Sequence, residues 1–142
     1  MALGFGICDP GWALDANTLP TGGQVTAGSA NIATAGNTMT VNQGSQRAII
    51  NWQSFDVGSS ASVNFVQPSS SSVALNRVNG TGASQIFGNL NANGQIYLVN
   101  SAGILFGAGA QVNVGGLVAS TLGISDSDFL AGRDHFSLSD GN

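Results

Sequence analysis

Apolar and polar residues alternate along most of this chain in short runs, and the runs return at close intervals. The stretch Gly94–Leu122, GQIYLVNSAGILFGAGAQVNVGGLVASTL, shows the pattern best. Its apolar runs are Ile96–Val99, Ile104–Phe106, Val112–Val114 and Leu117–Ala119, with Asn-Ser-Ala-Gly and Gly-Ala-Gly corners among them. Strands this short and this closely spaced predict a chain that coils upon itself turn by turn, not a hairpin sandwich. Upstream, Thr38–Asn42, Arg47–Trp52, Ser54–Val57, Ala61–Val66, Ser72–Val78 and Ser84–Leu90 have the same strand texture. Gly-, Asn- and Ser-rich corners separate them, where positive φ is tolerated. Three strands and three corners make a turn of about twenty to thirty residues, within the solenoid range. Apolar side chains then point inward, and Asn and Ser in stacked positions can form hydrogen-bond ladders along the axis.

Such a coil buries its core only between neighbouring turns, so its ends need caps. Both ends break the pattern. Met1–Cys8 is apolar and the repetitive texture starts at Leu19, so residues 1–18 read as a leader or signal remnant, or as an N-terminal cap. Residues 19–124 read as the coil. Beyond it, Ser125–Ala131 predicts a short helical turn, with Ser125 as N-cap and Asp126 and Asp128 favoured in the first turn. Residues 125–142 are then an end cap or the start of further repeats. The fold class is all-β apart from that turn.

Charge narrows the function. The 142 residues include no Lys and no Glu, and the net charge is −4. Arg47, Asp56 and Arg77 are the only charges between Asp15 and Asp126. A phosphate-tracking surface needs clustered Lys and Arg, so nucleic-acid binding is excluded. No apolar run is long enough to span a bilayer as a helix. A composition rich in Gly, Ser and Asn is compatible with disorder, but recurring Val, Ile, Leu and Phe argue for folded β structure. Cys8 stands alone, so no intramolecular disulfide forms.

Catalytic equipment is equally sparse. The one histidine, His135, has no positioned nucleophile beside it. One Cys and one His cannot close a zinc site, and Asp126, Asp128 and Asp134 lack the spacing of a calcium loop. Polysaccharide-cleaving β-helices need paired carboxylates, and from Val57 to Ser125 there is no acid at all. The chain therefore reads as non-enzymatic, without metal or cofactor. The plain role for Asp56 is an ion pair with an Arg on a neighbouring turn.

Several pieces, in order, resemble one family. They are Leu19-Pro20-Thr21-Gly22-Gly23, Asn51–Val57, Val73-Ala74-Leu75-Asn76-Arg77-Val78, Gly94–Asn100 and Phe129–Arg133. Together they resemble the secretion domain of two-partner secretion exoproteins, the filamentous-haemagglutinin and high-molecular-weight-adhesin group. The resemblance runs from Leu19 to about Phe136. It implies a right-handed parallel β-helix with an N-terminal cap, secreted to the cell surface through the periplasm of a Gram-negative bacterium. It also implies a partner, an outer-membrane transporter of the TpsB type whose periplasmic POTRA domains recognise the secretion domain. The residues it singles out for recognition are Asn100, Ser101, Ala102 and Gly103, with Asn76 and Arg77; Leu19–Gly23 would form the cap motif. The family's Asn-Pro-Asn-Gly corner stands here as Asn100-Ser101-Ala102-Gly103, without the proline.

A rival reading follows from the coil itself. A short β-helix with exposed end turns can stack homotypically, end to end, into an extracellular filament, and the absence of Lys leaves its edges unblunted.

Overall fold

A computed structural model of the chain describes residues 15–80, 82–121, 123–124, 129–130 and 136–137. Its strands build a β-solenoid of about four turns. We number them β1 (Gln24–Ala27), β2 (Ala30–Ala35), β3 (Thr38–Gln43), β4 (Arg47–Trp52), β5 (Ser62–Val66), β6 (Val73–Val78) and β7 (Ser84–Ile86). There follow β8 (Asn89–Ala92), β9 (Gln95–Val99), β10 (Ile104–Phe106), β11 (Gln111–Asn113), β12 (Gly116–Ser120), β13 (Gly123–Ile124) and β14 (Phe136–Ser137). One face of the coil stacks in the order β12-β9-β6-β4-β1, a second in the order β11-β8-β5-β3-β2, and a third pairs β10 with β7. The separation between stacked corner and face positions is 24 residues from Gln43 to Gln67, 27 from Asn64 to Asn91 and 22 from Asn91 to Asn113. The expected turn length is thus met.

From β3 onward every stacking on these three faces is parallel, as a chain winding in one sense requires. The stretch before it runs the other way. Thr21 bridges Ser54 on the third face, β1 lies against β4 on the first, and β2 against β3 on the second, all antiparallel. Residues from Thr21 to Ala35 therefore make one coil wound in reverse, and the hairpin through Gly36 and Asn37 turns the chain into its parallel course. Hydrogen-bonding groups of the first parallel coil are satisfied by this reversed coil instead of being left as a bare edge.

Inside the coil, Ala48, Ala74, Ile96 and Leu117 stand in one register, and Met39, Val63, Leu90 and Val112 in another. Met39, Val63, Ala74, Leu90 and Ile96 of these rows, with Ile50, Phe65, Val57, Ile86 and Leu98, form the main core, almost wholly removed from water, and the half-buried Val112 and Leu117 pack against it. Trp52 and Phe55 meet edge-on within it, ring centres 5.4 Å apart. On the outside of the second face, Asn91 Nδ2 donates to Asn64 Oδ1 at 2.8 Å, and Asn113 Nδ2 to Asn91 Oδ1 at 3.3 Å. This is the amide ladder that stacked Asn positions lead one to expect.

Two strand expectations need correction. Ser54–Val57 is reduced to single bridges at Ser54 and Val57. Ser84–Leu90 is split into β7 and β8 by a corner at Phe87 and Gly88. A Cβ on Gly88 would lie 2.1 Å from the Gly58 carbonyl oxygen, so the two stacked corners approach too closely for a side chain there. Of the helical turn expected at Ser125–Ala131, Phe129 and Leu130 are described and are helical. The other residues of that turn, with Cys8, Asp126, Asp128, Asp134 and His135, lie outside the described residues.

Candidate functional site

The corner Asn100–Gly103 is a turn closed twice. Gly103 N donates to the Asn100 carbonyl at 3.0 Å, and Ala102 N donates to the Asn100 side-chain Oδ1 at 2.9 Å. Asn favours such a turn because its amide mimics a further peptide group. Gly103 sits at φ 116°, a conformation that side chains rarely adopt. The Asn100 Nδ2 crosses to the preceding turn, donating to the Gly82 carbonyl and to Ser84 Oγ, each at 3.0 Å. Its main-chain N–H reaches forward to Ser120 O at 3.0 Å. Asn100 therefore ties three successive coils together, and it is fully buried. Ser101 and Ala102 are exposed.

Asn76 is buried as completely, but in the interior of the coil. Its Oδ1 accepts from Trp52 Nε1 at 2.9 Å, and its Nδ2 donates to the Tyr97 carbonyl at 3.3 Å. A buried amide is tolerated only when paired in this way. The next residue, Arg77, points outward, and its Nη2 donates to the Ile124 carbonyl at 2.7 Å. Asn76 and Arg77 are thus adjacent in sequence yet on opposite sides of one sheet, and neither lies at the Asn100 corner.

The Leu19–Gly23 motif serves the reversed coil. Leu19 packs on the main core and Pro20 is buried. Thr21 holds Ser54 by a hydroxyl pair at 2.7 Å. Gly23 lies flat against Trp52, where an added Cβ would come within 2.6 Å of the indole ring. The motif's glycine is therefore a matter of fit against a core tryptophan.

Three features were not singled out from sequence. One is a buried glutamine ladder in the corners between the second and first faces. There Gln43 Nε2 donates to the Ser45 and Val73 carbonyls, and Gln67 Nε2 to Gln43 Oε1 and the Gln95 carbonyl. Gln67 and Asn93 exchange a pair of bonds at 2.7 Å each. Stacked Gln residues a turn apart were the available signal. The second is the acid. Among the described residues Asp56 pairs with no arginine; its Oδ1 accepts from Gln85 N on the next turn at 2.8 Å. Desolvation raises its pKa above the usual carboxylate value, and that hydrogen bond opposes the rise. The third is a main-chain contact of each arginine, since Arg47 holds the Phe129 carbonyl and Arg77 the Ile124 carbonyl.

Among the described residues no group of three or more His, Cys, Asp or Glu could hold a metal ion, and no helix is long and apolar enough to cross a membrane. Comparison with known proteins agrees with the fold. Two heme/hemopexin-binding proteins of Haemophilus influenzae are similar to this chain. One is 49% identical over 106 residues, covering 75% of this chain and 12% of that protein. The other is 50% identical over 88 residues, covering 62% and 10%. The chain thus spans about a tenth of the length of these relatives. The crystal structure of the HMW1 secretion domain from the same species superposes with a TM-score of 0.81 at 34% identity, covering 87% of this chain and 33% of that one. The family model for the TPS secretion domain matches residues 16–142. A capped solenoid with these motifs and this match belongs to the TPS secretion domain family.

Proposed function

We propose that this chain is the part of an exoprotein by which a TpsB-type outer-membrane transporter, through its periplasmic POTRA domains, recognises its cargo. We further propose that recognition precedes folding. One observation carries this: the two asparagines in the family's recognition motifs, Asn76 and Asn100, are both 0% exposed in the closed coil. A partner that reads their side chains must meet them before the turns stack. An unfolded segment can pair its backbone with an open sheet edge of the partner, a mode that needs few charges on the cargo. The scarcity of charge from Asp15 to Asp126 fits such a cargo. The relatives are named for heme and hemopexin, and this chain matches about a tenth of their length. To test the reading, purified POTRA domains are titrated with the chain freshly diluted from denaturant and with the chain folded beforehand. Binding to the first and not the second is expected, and a preference for the folded coil would contradict it.

A second reading has one observation in its favour. β10, β11 and β12 are terminal strands of their sheets, and Leu105 and Val118 on them are exposed. End-to-end stacking of copies through that coil would give filaments, visible by electron microscopy and absent if the purified chain elutes as a monomer.

A further inference from the structure

Asn-Gly occurs twice in the sequence, as Asn79-Gly80 and Asn93-Gly94, and the fold treats the two pairs oppositely. Both glycines are fixed by close packing. A Cβ on Gly80 would run into the Gln53 carbonyl oxygen of the turn before, and one on Gly94 would lie 2.7 Å from the Ser72 carbonyl oxygen. Both asparagines reach solvent, so exposure does not separate them. Hydrogen bonding does. Asn93 is locked, because its Oδ1 accepts from Gln67 N and its Nδ2 donates to Gln67 O, each at 2.7 Å. Gly94 N in turn donates to Gln67 Oε1 at 2.8 Å. Asn79 is held through its main chain, whose N–H reaches Trp52 O at 2.8 Å. Among the described residues, its side chain and the Gly80 N–H have no hydrogen-bond partner.

This difference bears on a reaction intrinsic to the dipeptide. Glycine puts no side chain beside its own amide nitrogen, which leaves that nitrogen open to the preceding asparagine. Once deprotonated, the nitrogen attacks the asparagine Cγ, a C–N bond forms, and the side-chain nitrogen leaves as ammonia. The five-membered succinimide then takes up water at either carbonyl and opens to an aspartyl or an isoaspartyl residue. We propose that the folded chain modifies itself in this way at Asn79, whereas the Gln67 contacts keep Asn93 intact until the coil opens. No hydrogen bond holds the Asn79 amide away from Gly80 N. At Asn93 three hydrogen bonds must break first, one of them on the attacking nitrogen itself. Conversion puts a carboxylate into the stretch from Val57 to Ser125, which holds no acid. Asn79 lines a cleft with Gly22, Gln24, Asn51, Trp52 and Gln53, so the charge arrives beside the seam of the reversed coil with β4. The isoaspartyl form also adds one methylene to the backbone at that corner.

The test incubates the full chain at neutral pH, folded in one arm and held in urea in the other, and maps its peptides by mass spectrometry. Labelling with an isoaspartyl methyltransferase locates the isoaspartyl product. In the folded arm, position 79 is expected to convert at least about tenfold faster than position 93, where opening must precede reaction. In urea the two rates should converge. A form with one more negative charge should grow on anion exchange in step with conversion, and be missing from Asn79→Gln. Gln67→Ala takes the acceptor from Gly94 N and should speed conversion at position 93 in the folded arm, with position 79 unchanged. A Gln67→Ala chain that fails to fold shows instead the converged rates of the urea arm. In the folded parent, equal rates at the two positions, or no conversion at position 79, overturns the inference whatever the variants do.

Discussion

Trp52 and Asn76 meet inside the solenoid, the indole Nε1 donating to the amide Oδ1 at 2.9 Å from one turn to the next. A hydrogen bond in a dry interior is worth little net when made and much when broken, because the partner left behind has no water to turn to. Asn76→Leu is therefore expected to destabilise the chain by about 1–3 kcal/mol, with Trp52→Phe similar in sign. The double variant should cost less than the sum of the singles, a coupling of roughly 0.5–3 kcal/mol that denaturant titration would measure. Strict additivity would mean that the pair makes no bond in solution.

At the Asn100 corner, two substitutions should act in opposite directions. Asn100→Ala removes the donor to Gly82 O and Ser84 Oγ and the acceptor for Ala102 N, leaving buried groups unpaired at a loss of about 1–3 kcal/mol. Ser101→Pro places a proline at the second position of a turn that Gly103 N already closes, where its fixed φ is preorganised. A gain of about 0.4–1 kcal/mol is expected, read as a higher thermal midpoint. A loss would show that the Ser101 backbone is not in the conformation proline needs.

Gly23→Ala drives a methyl group into the Trp52 ring, whose neighbours are packed core residues. Overpacking of this kind costs about 1–3 kcal/mol. Because the reversed coil is the part displaced, hydrogen exchange should accelerate first at Gln24–Ala27 and Ala30–Ala35, ahead of Val73–Val78. Uniform acceleration would contradict a cap that can loosen separately.

Asp56 gives a pH signature. Its folded pKa is raised, so the folded chain binds the proton more tightly than the unfolded one. Its contribution is therefore favourable below the ordinary carboxylate value and declines as pH rises through the elevated one. Asp56→Asn keeps the acceptor for Gln85 N and removes the ionisation. It should be at least as stable as the parent at neutral pH and flatten the stability profile in that acid window. Chemical unfolding at a series of pH values decides this, and a less stable Asp56→Asn chain at neutral pH contradicts it.

Legibility in the sequence followed the physics of each element. The parallel coils were legible because TMTVNQ, SVNFV and NLNA alternate with period two, and their repeats fall a turn apart. Strand direction leaves no such trace. QVTA and ANIATA have the same texture as the strands that follow, yet they wind backwards. The Asn100 corner was legible as a turn, whereas the burial of its side chain depends on Gly82 and Ser84 from the turn before. The outward apolar residues Ile49, Leu75 and Tyr97 of the first face did carry a signal. RAIINW, VALNRV and QIYLV do not alternate cleanly, as befits strands covered on both faces. What packs on them could not be read locally, since Phe129 is joined to Arg47 across 82 residues. Separations of 82 and 47 residues hid the carbonyls that Arg47 and Arg77 hold and made a pair with Asp56 the nearest guess.

Export itself is the most direct measurement. The chain is produced in a Gram-negative host with and without its partner transporter, and the fraction outside the cell is compared with the fraction in the periplasm. A secretion domain should accumulate outside only when the transporter is present, and Asn100→Ala should lower that fraction. Equal amounts outside in both hosts would contradict the role of this coil as transporter cargo.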